Sequence, residues 1–208
     1  MDELTKILEA SDALFRKYGI RSVTMADIAR SLGMSKKTLY VHIENKHDLV
    51  EKIMKRYIIQ DEEACFAIKA EANNALEELL KISLYVQQQI KDVNPSLIFD
   101  LQKYHRPVWE MLDAFHREGV LRIVEENLQR GIEEGLYRKD LNAALMARLH
   151  VGLMSIVSDI DLFPLDQFPT HFLHKEFIKY HIYGIVSAKG KELLNNMLDS
   201  LDPAGDFH

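Results

Sequence analysis

Three helix starts crowd into the short stretch between Thr24 and Asn45. Thr24, Ser35 and Asn45 each offer the short side-chain oxygen that caps a helix N-terminus. Asp27 and Asp48 follow the first and the last by three residues, at the acidic position of a capping box. Two helices as short as Met25–Leu32 and Lys36–Ile43, joined through Gly33, are forced to cross steeply. Gly33 supplies the positive φ that such a turn demands, and Ala29 is small where the two helices approach. Leu32, Met34 and Leu39 fill the wedge between them. A preceding amphipathic helix, ended by Gly19, buries Leu8, Leu14 and Phe15 beneath.

The second short helix keeps one face free. It displays Lys36, Lys37, Thr38, Tyr40 and His42, a cationic, hydroxyl-bearing and aromatic set with no acid among them. Charge along the chain agrees. Between Arg16 and Lys46 stand seven Lys or Arg against only Asp27 and Glu44, in a chain whose formal net charge is −6. A basic segment on an acidic body points to a local surface for a polyanion. A helix of this width fits the DNA major groove, where base edges differ in donor and acceptor pattern. Thr24, Ser35 and Lys46 are then placed at helix starts for phosphate contacts, which set register while base edges set sequence preference.

The rest of the chain reads with helical period: from Lys46 to about Ala72, then Asn74–Lys91, Pro95–Lys103, Pro107–Glu134, Asp140–Leu162, Thr170–Ser187 and Lys191–Leu201. Pro95 and Pro107 suit helix starts, and Gly135 and Gly190 suit stops. The expected fold class is all-α: an N-terminal three-helix helix-turn-helix domain over residues 1–46 and a C-terminal helical ligand-binding and dimerisation domain over residues 47–208. No apolar run is long enough to span a bilayer, and the N-terminus lacks the pattern of a secretory signal. A cytoplasmic protein is expected.

The stretch SVTMADIARSLGMSKKTLYVHIENKHDLV resembles the N-terminal domain of the tetracycline-repressor (TetR) family of bacterial transcriptional regulators. Thr24, Ile28, Ala29, Gly33, Ser35, Thr38, Leu39, Tyr40, His42, Lys46 and Leu49 carry the match. Val41 stands where the family often has His, Tyr or Trp, and Ile43 where Phe is usual. The close FIKYHIYGIVSAKGKELL is similar to the family's C-terminal pattern. The resemblance implies nine or ten helices, DNA binding by the first three, and a fourth leading to a ligand-binding, dimer-forming body.

The expected function is therefore a transcriptional regulator, a ligand-responsive repressor binding a palindromic operator as a homodimer. Its expected partners are double-stranded DNA, a second copy of itself and a small-molecule inducer, with no membrane. Phe99, Tyr104, Trp109, Met111, Phe115 and Leu153 are the expected pocket lining. Leu149, Gly152 and Ile156, with Ile178, Ile182 and Ile185, are the expected dimer interface, because both late helices are apolar over more than one face. No catalytic residue, cofactor or metal is expected. There is no Gly-rich phosphate loop, GxSxG or HExxH. The i, i+3 pair His171 and His174, with His181 two turns on, reads as surface and interface histidine rather than ligands. Two other classes remain open: a helical enzyme or carrier whose crossed helices only pack, and an architectural DNA-binding protein without a ligand.

Overall fold

A computed structural model describes residues 2–91, 93–94, 96–157, 159, 161–164 and 166–201, with helical backbone alone at 198–201. The helices in chain order are α1 (Glu3–Tyr18), α2 (Met25–Ser31), α3 (Lys36–His42), α4 (Lys46–Glu71), α5 (Ala75–Ile90), α6 (Ser96–Tyr104), α7 (Arg106–Phe115), a π-helical turn His116–Val120, α8 (Leu121–Glu133), α9 (Ala143–Val157), α10 (Thr170–Ile185) and α11 (Ala188–Leu201). Among the described residues there is no strand, only one isolated antiparallel bridge between Tyr137 and Val186. The fold class is all-α. The expected single helix Pro107–Glu134 is helical but passes through the π turn. The expected helix start at Pro95, and Ile160 within the expected helix Asp140–Leu162, lie outside the described residues.

Two compact units form. The first takes residues 1–62 and 92–114, the second residues 63–91 and 115–208. This division differs from one at residue 46, for a physical reason. The first half of α4 buries Leu49 and Val50 completely in the same unit as Ile7, Phe15, Ile28 and Leu39. The segment leading into α6 is bonded to the end of α1: the Asn94 amide donates to the Arg16 carbonyl at 2.6 Å. The Arg21 amide donates to the Asp100 carboxylate at 2.9 Å.

In the second unit α5, α8, α9, α10 and α11 surround a core that includes Leu76, Leu80, Leu128, Tyr137, Ile182 and Leu194. Tyr137, fully buried, places its hydroxyl 3.1 Å from the Ala75 carbonyl and 3.0 Å from Asn127 Oδ1. Arg130 joins Glu78 at 3.0 Å and Glu134 at 2.7 Å. Gly190 is not a stop. It lies inside α11, against the backbone of Leu136, where an added Cβ would overlap the Leu136 carbonyl oxygen. No helix among the described residues is long and apolar enough to cross a membrane.

Candidate nucleic-acid interface

Local capping builds this site. The Thr24 hydroxyl accepts from the Asp27 amide at 3.2 Å, while Asp27 Oδ2 accepts from the Thr24 amide at 3.0 Å. That is the reciprocal box expected of α2. The Thr24 hydroxyl also donates to Asp27 Oδ2, at 2.6 Å, and these bonds hold the Asp27 carboxyl below its usual range. Gly33 turns the chain at φ +64°. The Ser35 hydroxyl then accepts from the Thr38 amide at 3.1 Å and starts α3. Asn45 Oδ1 accepts from the Asp48 amide at 3.0 Å and starts α4.

On α3, residues at i, i+3 and i+4 share a face. Lys36, Lys37, Tyr40 and Val41 make up that face and are exposed, Val41 at 75% of its surface. Leu39 points the other way and is fully buried. Thr38 and His42 lie at the margins, half-buried. The Thr38 hydroxyl is 2.9 Å from that of Ser35, and His42 Nε2 is 3.2 Å from the Glu3 carboxylate on α1. Lys46 lies at the edge with its ammonium 3.4 Å from the Arg21 carbonyl. Its partial burial lowers its pKa, opposed by Asp100 and Asp27. All eight expected DNA-contacting residues, Thr24, Ser35, Lys36, Lys37, Thr38, Tyr40, His42 and Lys46, therefore belong to one unit. Five of them, Thr24 at the start of α2 and Ser35, Lys36, Lys37 and Tyr40 at the start and on the face of α3, are exposed, while His42 is already engaged by Glu3.

The sequence reading passed over Val41 because it departs from the usual residue types. Its exposure beside Lys37 makes it part of the free face, with branched methyls of the kind that pack on a thymine methyl. The signal available was positional: position 41 is one turn from Lys37.

Comparison with known proteins agrees with this geometry. Residues 7–53 match the model for bacterial regulatory proteins of the tetR family. The chain is 30% identical over 188 residues to the HTH-type transcriptional regulator YvaF of Bacillus subtilis, covering 88% of this chain and 95% of that protein. The chain belongs to the tetR family of bacterial regulatory proteins. As a TetR-family protein it is a helix-turn-helix, DNA-binding transcriptional regulator. It is also 25% identical over 151 residues to the HTH-type transcriptional repressor KstR2 of Mycobacterium tuberculosis, 69% of this chain and 73% of that one. A transcriptional regulator from Cytophaga hutchinsonii shares the fold at TM-score 0.71 and 21% identity, covering 89% of this chain and 99% of its own. A regulator from Saccharomonospora viridis, in complex with choline, does so at TM-score 0.70 and 17% identity, over 88% and 97%.

The other expected sites are rearranged by the TetR-family body. Of the pocket set, Phe99, Tyr104, Trp109 and Met111 belong to the first unit, and Phe115 and Leu153 to the second. Phe99 and Tyr104 are exposed, meet edge-on at 6.5 Å, and lie under the Lys103 ammonium. Tyr104 also accepts from Arg21 at 3.0 Å. These two are a surface pair, not an interior lining. Of the dimer set, Leu149, Gly152 and Ile156 are exposed along α9. Ile178, Ile182 and Ile185 are 4%, 2% and 0% exposed in the single chain and belong to its core. The exposed side of α10 carries Phe172, Tyr180 and Tyr183 instead. His174 and His181 are not surface histidines: the His181 ring packs edge-on against His150. Among the described residues no group of three or more His, Cys, Asp or Glu is arranged to hold a metal ion.

Proposed function

We propose that the chain is a ligand-responsive repressor, acting in the cytoplasm, that binds a palindromic operator as a homodimer. The acid-free, exposed face of α3 carries the reading. Lys36, Lys37, Tyr40 and Val41 enter the major groove, while Thr24, Ser35, Thr38 and Lys46 line the phosphates on either side. His42, paired with Glu3, positions the end of α3 against α1.

One such head gives modest affinity. A two-fold pair presents two heads to successive major grooves, about 34–36 Å apart or a simple multiple of it, and so reads a palindrome. The apolar row Leu145, Leu149 and Ile156 on α9 supplies the surface for that pairing, being exposed on a single chain at 54%, 48% and 46%. The ligand is a small apolar or amphipathic molecule held in the second unit, and it acts by binding the DNA-free arrangement of the dimer more tightly than the DNA-bound one. The proposal calls for no cofactor, metal or catalytic step.

Selection of bound sequences from a random duplex pool with the full chain tests this reading. Two inverted half-sites with a fixed spacing are the expected outcome. A single half-site, or no enrichment, overturns it.

A further inference from the structure

Several cations of the first unit are neutralised within it: Arg16 pairs with Asp12, Arg30 with Asp27, Arg56 with Glu9 and Arg106 with Glu110. Arg21 and Lys103, both exposed, form no ion pair among the described residues and rest on aromatic rings instead. The Arg21 guanidinium lies 5.2 Å from the centre of the Tyr104 ring, and its Nη1 is 3.0 Å from the Tyr104 hydroxyl. The Lys103 ammonium lies 5.1 Å from the centre of the Phe99 ring and 5.6 Å from that of Tyr104. A cation resting on a ring keeps N–H groups free for an anion and is already partly fixed, so less side-chain freedom is lost on binding. The Tyr104 hydroxyl accepts from Arg21 and keeps its own proton for a further acceptor.

This patch lacks an exposed acid, as the free face of α3 does. No Asp or Glu stands between Asp12 and Asp27, and between positions 93 and 109 the only one is Asp100. Asp100 is 5% exposed, and its carboxylate accepts from the Arg21 amide. The patch also adjoins the phosphate-facing edge of the head. The Lys46 ammonium is 3.4 Å from the Arg21 carbonyl. Arg21 stands three residues before Thr24, the cap of α2, so at most about 11 Å of chain separates them. Phosphates on one strand recur about every 3.4 Å along the duplex axis.

We propose that Arg21, Tyr104 and Lys103, with Phe99 as support, bind the phosphate backbone of the duplex just outside the operator half-site, so that the end of α6 is a second, sequence-independent DNA contact. The proposal extends, and rests on, the reading of Thr24 and Lys46 as phosphate contacts. A strand held at those two residues runs on past Arg21, and the two ring-borne cations meet its next phosphates. Phosphate is the fitting partner for a patch that offers several donors and positive charge but no pattern for reading base edges.

The test uses the full chain and the operator recovered by selection. A duplex cut at the operator's edges is compared with one carrying ten further base pairs on each side, by fluorescence anisotropy over a range of salt. The longer duplex is expected to bind about tenfold tighter, with either of two unrelated flanking sequences, and its log affinity to fall more steeply with log salt by about one unit per added contact. Lys103→Gln is expected to reduce that advantage and Lys103→Glu to abolish it, both variants binding the short duplex as the wild type does and keeping its thermal midpoint. Lys36→Ala is expected to weaken both duplexes alike and keep their ratio. Equal wild-type affinity for the two duplexes, an advantage that follows the flanking sequence, or a full advantage retained in Lys103→Glu overturns the inference. If Lys36→Ala leaves short-duplex binding unchanged while Lys103→Glu loses the advantage, the flanking contact stands and the groove reading of α3 falls.

Discussion

Lowering the pH from about 7.5 to about 5.5 should remove about 4 kcal/mol of folding stability, and the buried histidines are the reason. In the folded chain His150 titrates at about 3, and His174 and His181 at about 4. In the unfolded chain each returns to about 6.5. A base whose folded pKa is depressed binds its proton better when unfolded. The stability it supports is complete above the unfolded value and is lost as the pH falls toward the folded one. At about pH 5.5 the unfolded form of each ring has gained most of a proton while the folded form has gained almost none, a loss of about 1–2 kcal/mol per ring. His105, also depressed by burial and by His47 and Lys46, adds in the same direction. The carboxylates with depressed values, such as Glu77 beside Lys81 and Asn73, cost stability only at lower pH, as they are protonated through the ordinary carboxylate range. A loss of this size is a large part of the total stability of an ordinary domain, about 5–15 kcal/mol. Urea unfolding followed by far-ultraviolet circular dichroism at the two pH values measures it. The double variant His150→Leu, His181→Leu should lose only about a third as much, from His174 alone. A wild-type chain that loses under about 1 kcal/mol over this range would refute the burial argument for all three rings.

The remaining predictions concern the head, the packing of the body and the dimer. Lys36→Ala and Lys37→Ala should each flatten the dependence of log affinity on log salt by about one unit in fluorescence-anisotropy titrations with operator DNA, without moving the thermal midpoint. Tyr40→Ala should weaken operator binding at unchanged stability, since its ring is half exposed on α3, and unchanged gel-shift binding would count against the site. Gly190→Ala should cost about 1–3 kcal/mol or more in urea unfolding, because the overlap is with the Leu136 backbone, which cannot swing aside. Leu149→Glu combined with Ile156→Glu should leave the helical signal intact and shift the chain from dimer to monomer in light scattering. A dimer that persists would remove α9 from the interface.

The head was legible because its determinants are local. Thr24 with Asp27, Ser35 with Thr38 and Asn45 with Asp48 are caps three residues long, and the structure forms each one. The free side of α3 was marked in the sequence by the absence of an acid, and Leu39 by its place in the apolar period. The body was legible as helices but not as surfaces. α10 is apolar over more than one side, so its period alone did not decide between Ile178, Ile182 and Ile185 inward and Tyr180 and Tyr183 outward. That choice belongs to α5 and α9, which cover one side of it. Phe99 and Tyr104 failed as pocket residues for a related reason. Aromatic type predicts burial only on average, and Arg21 and Lys103 hold these two rings at the surface.

Gly190 and the three histidines show where short-range reading stops. A glycine near a helix end has a local explanation, a stop, and nothing nearby in sequence argues against it. Its actual constraint is the Leu136 carbonyl, 54 positions earlier in the chain. His150 lies 31 positions from His181 and had no local partner to make it noticeable. It is set apart only by what meets it in space: two imidazoles, a phenyl ring, and an Nδ1 with nothing to bond among the described residues. The two units thus announce themselves by opposite means. A DNA-reading face must be exposed and of one charge sign, which a list of residues can show. A buried polar atom without a partner is a property of the fold alone, which a list of residues does not show.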